Sequence, residues 1–153
     1  MAFSKSLSGD RWSLTHIGTV VPKTFSASYT APTPAVGHLV KRDPAINDGV
    51  LRCASTEEPY GMVLSINSGG TNPLSVLRFA KVQSVVLEYN VAPARGDSIT
   101  ANGTAGVIPI DGVLRDQIIT DNSDGVGIVV ALDSPVTGLC IVEFPAGVSI
   151  ADL

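Results

Sequence analysis

Residues Gly127–Pro145 read GIVVALDSPVTGLCIVEFP, two apolar runs joined by a short polar turn. Residues Gly61–Phe79, GMVLSINSGGTNPLSVLRF, repeat that grammar. In each, a glycine opens an apolar run and a serine-containing turn with a proline follows. The second run then closes on an aliphatic residue, a charged residue and phenylalanine. Leu77-Arg78-Phe79 aligns with Val142-Glu143-Phe144. The offset is 66 residues at the start and 65 at the end, which places a one-residue loss in the turn. A shorter run opening on glycine precedes each hairpin, Gly37-His38-Leu39-Val40 and Gly96-Asp97-Ser98-Ile99. This pattern predicts an all-β fold: a small β-barrel or sandwich over residues 37–145, built from two related β-units, 37–95 and 96–145. An extended N-terminal arm with a proline-containing linker, residues 1–36, leads into it, and a short tail, 146–153, follows.

The bulk numbers fit that class. The chain has 153 residues, enough for one core without staples. It is 44% apolar and only 16% charged, with 15 glycines and 10 prolines. Low charge with many turn-formers favours strands and turns over helices. The net charge is −4 and the basic residues are scattered, which argues against nucleic acid or an anionic membrane as partner. Cys53 and Cys140 each sit within an apolar run and read as small buried hydrophobes; two cysteines make no disulfide framework. The polar start, residues 1–9, has no leader-like apolar core, and no run reaches the ~20 residues of a membrane span. The expectation is synthesis in the cytoplasm.

Between residues 11 and 25 stands RWSLTHIGTVVPKTF, a β-like apolar run that holds the lone tryptophan. Trp12, Leu14, Ile17, Val20, Val21 and Phe25 are the candidate partner-binding residues. A large aromatic in a leading arm serves either as an anchor in a neighbour's pocket or as a cap on its own core. Ser26–Ala35, SASYTAPTPA, should run extended as a polyproline-like connector. Val82–Tyr89 has some helical spacing, but its valines and tyrosine favour a strand. Asn102-Gly103 predicts a two-residue hairpin, and Asp111-Gly112 a second, with short strands at Val107–Ile110 and Val113–Ile119.

Chemical motifs are weak. His16 and His38 have no second ligand at metal spacing. Asp121-Asn122-Ser123-Asp124-Gly125 has a calcium-loop flavour, but the acidic spacing fails and a turn is the simpler reading. Arg95-Gly96-Asp97 spells the integrin tripeptide, yet its glycine already opens the second unit. Asn102-Gly103-Thr104 fits a glycosylation acceptor, yet it reads as turn chemistry. Gly106-Val107-Ile108 begins like the uridine motif of trimeric deoxyuridine triphosphatases, then places Pro109 where their aspartate belongs. No acid, base and nucleophile cluster together, so the sequence predicts neither an enzyme nor a cofactor.

One resemblance spans most of the chain. The order Tyr29-Thr30-Ala31-Pro32, Gly37-His38-Leu39-Val40, Val50-Leu51-Arg52-Cys53-Ala54, Gly61, Gly96-Asp97-Ser98-Ile99, Gly127–Leu132 and Gly138–Phe144 is similar to that of the decoration, or cement, proteins of tailed bacteriophage heads. The longer arm and the region 107–122 depart from the simplest members. The resemblance implies a structural role on the outer capsid surface of the virion. Such a protein binds the major capsid protein of an expanded head, associates with itself as a homotrimer and clamps neighbouring capsomers against internal DNA pressure. Under it, Val63, Leu77, Phe79, Val129, Leu132, Val142 and Phe144 would be core or trimer-facing. The competing expectation is a carbohydrate- or receptor-binding module of a phage tail or fibre, with Tyr60 and Tyr89 as sugar platforms.

Overall fold

A computed structural model describes residues 24–29, 32–66, 74–79, 84–123, 125–132 and 137–144, with residues 24–26 as backbone only. The described residues are all-β. Ten strands follow in order: β1 Thr24–Tyr29, β2 Leu39–Asp43, β3 Gly49–Arg52, β4 Gly61–Ile66, β5 Leu74–Arg78, β6 Ser84–Tyr89, β7 Ser98–Ala105, β8 Asp116–Thr120, β9 Val126–Leu132 and β10 Leu139–Glu143. They form two closed five-stranded barrels. The first runs β1-β3-β2-β4-β5 and the second β6-β8-β7-β9-β10, each closing on its first strand. The two orders are the same once five is added to each strand number. The pairings also agree: one parallel contact, β1 with β3 and β6 with β8, and antiparallel contacts elsewhere.

The duplication is therefore a duplication of whole barrels, and it begins earlier than the glycine-led pattern placed it. Strand β1 belongs to the first barrel: Phe25 lies opposite Val76 and Ala27 opposite Leu74. Its counterpart β6 sets Val85 opposite Val142 and Leu87 opposite Cys140. The repeats are thus residues 24–79 and 84–144, which corrects the expected boundary near residue 95 and the part of the expected connector, residues 26–29, that lies in β1. In β1, Phe25, Ala27 and Tyr29 alternate with polar residues, the period of a strand with one face inward.

The two hairpins keep one register throughout. Val63 pairs with Val76, and Val129 with Val142; Ile66 pairs with Leu74, and Leu132 with Cys140. Both hairpins skip one residue at the same place, Leu64 in one and Val130 in the other. The offset is 66 along both strands, so no residue was lost in the turn, and Phe144 falls opposite the position of Arg78 rather than that of Phe79. A bulge kept at the same step in both copies bends the strand and helps to close a small barrel.

The repeats differ at one connection. Val40 pairs with Arg52, twelve residues on, whereas Ile99 pairs with Thr120, twenty-one residues on. The second repeat carries nine extra residues between β7 and β8. Two turn predictions meet there. Asp111 and Gly112 both have positive φ, 52° and 80°, as a type I′ turn requires, and Ile110 bridges Val113 across them. At Asn102-Gly103 only the glycine has positive φ, 76°, and β7 runs on through it with a register shift. That glycine marks a bulge, not a hairpin, and Val107–Ile110 is no strand.

Each barrel fills its interior with alternate residues. Ala27, Val40, Val50, Val63, Leu74 and Val76 line the first, all at most 1% exposed. Burying such side chains contributes roughly 1.5–3 kcal/mol each. The outward-facing neighbours Leu39, Met62 and Leu77 are equally buried, and they belong to the cluster that fills the second barrel. The outer face of the first barrel is therefore packed on the second.

Candidate functional site

The junction between the repeats is where the most specific side chains converge. Leu39, Met62 and Leu77 form one cross-strand row over β2, β4 and β5. Beside them Phe79 stacks on Phe144, with ring centroids 4.5 Å apart and planes 16° from parallel. Backbone bonds stitch the edge: Thr56 N–H donates to the Ala101 carbonyl and Ala101 N–H to the Glu57 carbonyl, at 2.9 and 3.0 Å.

A buried carboxylate locks this contact. Asp116, 1% exposed, accepts from the Leu39 backbone N–H at 3.1 Å and from Arg52 through two nitrogens, at 3.0 and 2.7 Å. Its own N–H donates to the Gly37 carbonyl at 3.0 Å. One residue of β8 thus holds both β2 and β3 of the other repeat. The bidentate geometry makes this the stronger kind of ion pair. Gly37, at φ +91°, lies so close to the insertion that a Cβ would meet the Leu114 carbonyl oxygen at 2.0 Å.

A second buried carboxylate folds the insertion onto its own barrel. Glu88, 2% exposed, accepts from the Val107 and Ile108 N–H groups at 2.8 and 2.7 Å and from Gln117 Nε2 at 2.6 Å. Arg115 is buried as well and donates to the Val86 carbonyl; burial pulls its guanidinium down to about 10, against the pull of Asp111. Ile110 packs with Val86, Leu139 and Ile141 on the outer face of the second barrel. Sequence reading missed Glu88, Arg115 and Asp116 as a group. Their signal was present: charged residues standing inside apolar strands, VVLEY and VLRDQII, are seldom there unless bonded.

The expected chemistry resolves into architecture. The turns Pro34-Ala35-Val36-Gly37-His38 and Pro93-Ala94-Arg95-Gly96-Asp97 are the same device. His38 Nδ1 accepts from the Ala35 N–H at 2.9 Å, as Asp97 Oδ2 accepts from the Ala94 N–H at 2.8 Å. The Gly37 and Gly96 N–H groups donate to Val63 and Val129. The Asp97 carboxylate also accepts from Asn122 and Thr120, so the integrin tripeptide is a capped turn with its acid engaged. In the acidic loop, Asn122 takes the Ser98 N–H and Asp121 the Ser123 N–H. Cys53 and Cys140 are buried and form no disulfide, and burial pushes Cys53 up to about 12, which leaves no thiolate at neutral pH. Among the described residues no three His, Cys, Asp or Glu side chains are placed to share a metal ion.

His38 gives a pH prediction. A nitrogen that accepts from a backbone N–H must be unprotonated. Burial holds the His38 imidazole below its ordinary 6.5; Asp116 opposes that shift and Arg52 adds to it. The unfolded chain therefore binds the proton first. Stability is full above pH 6.5 and is lost as pH falls through the lower folded value. His38→Asn keeps an acceptor at every pH. Its urea midpoint should show a flatter decline than wild type as pH falls below 6.5, and parallel declines would contradict the role of this cap.

Of the arm residues expected to bind a partner, Trp12, Leu14, Ile17, Val20 and Val21 lie outside the described residues, and Phe25 is a β1 residue opposite Val76. The tail, 146–153, also lies outside them. The residues expected to be core or trimer-facing are core: Val63 in the first barrel, and Leu77, Phe79, Val129, Val142 and Phe144 at the junction and in the second, with Leu132 half-buried against them. Tyr60 is 4% exposed, with Arg42 and Arg78 over its ring at 5.1 and 5.2 Å. The Tyr89 hydroxyl accepts from the Gly138 N–H. Neither ring lies open as a sugar platform would.

The chain matches no known protein family, no curated protein and no solved structure.

Proposed function

We propose that the protein is a non-enzymatic capsid decoration protein. It binds the major capsid protein on the outer surface of an expanded phage head and holds neighbouring capsomers together. The observation that carries this reading is the coincidence of the resembling segments with the strand framework. Gly37-His38-Leu39-Val40 leads into β2, Val50–Ala54 covers β3, Gly61 opens β4, Gly96–Ile99 leads into β7, and Gly127–Leu132 and Gly138–Phe144 cover β9 and β10. The segments that match in order fall on or lead into six of the ten strands, three in each barrel.

The physics suits the role. Two barrels locked by a shared core form a stiff body, and a stiff body loses little freedom on binding. A clamp that contacts only the expanded lattice stabilises that lattice by mass action. The arm extends this logic. Strand addition needs an open sheet edge. Both sheets of the described residues close on themselves, which favours an edge on the shell over a barrel edge of a sister copy as the one the arm would join.

Deleting residues 1–22 tests the reading while leaving β1 whole. The truncated protein should keep the wild-type unfolding transition and lose at least about tenfold in affinity for expanded heads of the parent phage, measured by co-sedimentation. Full affinity after truncation would remove the arm from the contact.

A further inference from the structure

A chain of side-chain hydrogen bonds fastens the insertion of the second repeat from a distance. Asn102 Nδ2 donates to Gln117 Oε1 at 3.1 Å, and Gln117 Nε2 donates to Glu88 Oε2 at 2.6 Å. Glu88 in turn holds the Val107 and Ile108 N–H groups. The buried end fixes the direction of the chain. A carboxylate only accepts, so Gln117 turns its amide nitrogen to Glu88 and its oxygen to residue 102. That oxygen needs a donor, which the asparagine amide supplies and a carboxylate could not.

Residue 102 is also where the covalent chain is least durable. Asn102-Gly103 is the one Asn-Gly pair in the sequence; every other asparagine is followed by a residue with a Cβ, which hinders attack on its side chain. The Gly103 backbone nitrogen, once it gives its proton to hydroxide, attacks Cγ of Asn102, and ammonia leaves. Water then opens the cyclic imide at either carbonyl, to aspartate or to isoaspartate. One water is consumed and one ammonia released, with no change of oxidation state.

The fold leaves this route open. β7 pairs with β8 at Ala101 opposite Ile118 and next at Ala105 opposite Asp116, so Asn102, Gly103 and Thr104 form a bulge outside the ladder. Asn102 and Gly103 are half-buried and Thr104 is exposed, so water reaches them. Packing dictates the glycine. At φ +76°, a Cβ on Gly103 would lie 2.7 Å from the Ser55 backbone nitrogen of the first repeat. The residue that makes Asn102 labile is thus held in place by the contact between the repeats.

Conversion reaches the insertion. With a carboxylate at 102, Gln117 can serve residue 102 or Glu88 with its amide nitrogen, but not both. What Glu88 holds down is a cover: Ile110 lies on Val86, Leu139 and Ile141. The first repeat, which lacks the insertion, pairs Ser26 with Ser75 where the second pairs Val86 with Ile141.

We infer that Asn102 is a self-modifying site, whose conversion to aspartate or isoaspartate withdraws the Gln117–Glu88 support and loosens residues 107–110 from the outer face of the second barrel. The change runs one way and marks the age of the folded protein. The inference stands whether or not the partner of the protein is a capsid.

Mass spectrometry on the full chain, aged while folded in mildly alkaline buffer, tests the site. The tryptic peptide 96–115, in which Asn102 is the sole asparagine, should gain one mass unit. Asn102→Gln, whose longer side chain would have to close a larger ring, should not gain it. The aged fraction carries an added negative charge and separates on anion exchange. Its Val107 and Ile108 amide hydrogens should exchange at least about tenfold faster than in fresh protein, with exchange in the core strands unchanged. Asn102→Asp should show the same increase without ageing. A folded chain that stays intact over the time in which the urea-unfolded chain converts would overturn the site, as would an equal gain in Asn102→Gln. Unchanged exchange at Val107 and Ile108, in the aged fraction and in Asn102→Asp, would overturn the link to the insertion.

Discussion

Phe144→Ala should lower the unfolding free energy by about 4 kcal/mol, the largest loss expected from a single substitution in this protein. The ring is 7% exposed and stacks on Phe79, and the two phenylalanines come from different repeats. The backbone has been shaped around it: a Cβ on Gly127 would lie 2.8 Å from the ring, and Gly127 holds φ at +72°. Alanine leaves a cavity on the seam between two barrels that are each already packed, so little can collapse into it. The stack itself adds about 1 kcal/mol beyond area burial. Urea titration should show one transition in the wild type, because a shared core ties the barrels together. In the variant, the transition should move to lower urea and stay single, because the Asp116 contacts still tie the barrels. A cost below about 1 kcal/mol would contradict the assignment of this stack to the junction.

Asp116→Ala should cost about 3 kcal/mol. The loss strands the Leu39 N–H, which is buried, and removes both contacts of the Arg52 guanidinium. The Arg52 side chain is 36% exposed and can turn to water, whereas Arg52→Ala leaves the buried Asp116 carboxylate without its cation, so Arg52→Ala should cost at least as much, about 3 kcal/mol. The double variant should then fall short of the sum of the two by about 1 kcal/mol or more, the signature of a direct pair. Additive losses, measured by urea midpoint, would show that the two residues act separately.

These residues also show what was legible in the sequence. The hairpins Gly61–Phe79 and Gly127–Pro145 could be read because long apolar runs, opened by glycine and interrupted by a turn, are hard to fold any other way. Their tandem relation survived because the same residues point inward in both. Strand β1 was obscured. Its inward residues Ala27 and Tyr29 include a small one, and the prolines that follow read as a connector. The matching strand β6, VVLEY, is far more apolar, so the two did not look alike. Asn102-Gly103 misled because a dipeptide names a turn only when both residues take positive φ, and a long-range pairing decided otherwise. The junction could not be read at all. Whether Leu39 or Val40 faces inward depends on which side the second barrel lies, and alternation alone leaves both possible. Asp116 and Arg52 are 64 residues apart, and only the packing of one barrel on the other brings them together.

The proposed capsid role is tested most directly by cryo-imaging of expanded and unexpanded tailed-phage heads, each stripped of decoration and mixed with the full chain in excess. Added density is expected on the outer surface of the expanded heads, at every equivalent lattice position and two small barrels in extent, with the unexpanded heads bare. Expanded heads that remain bare at saturating protein would contradict it.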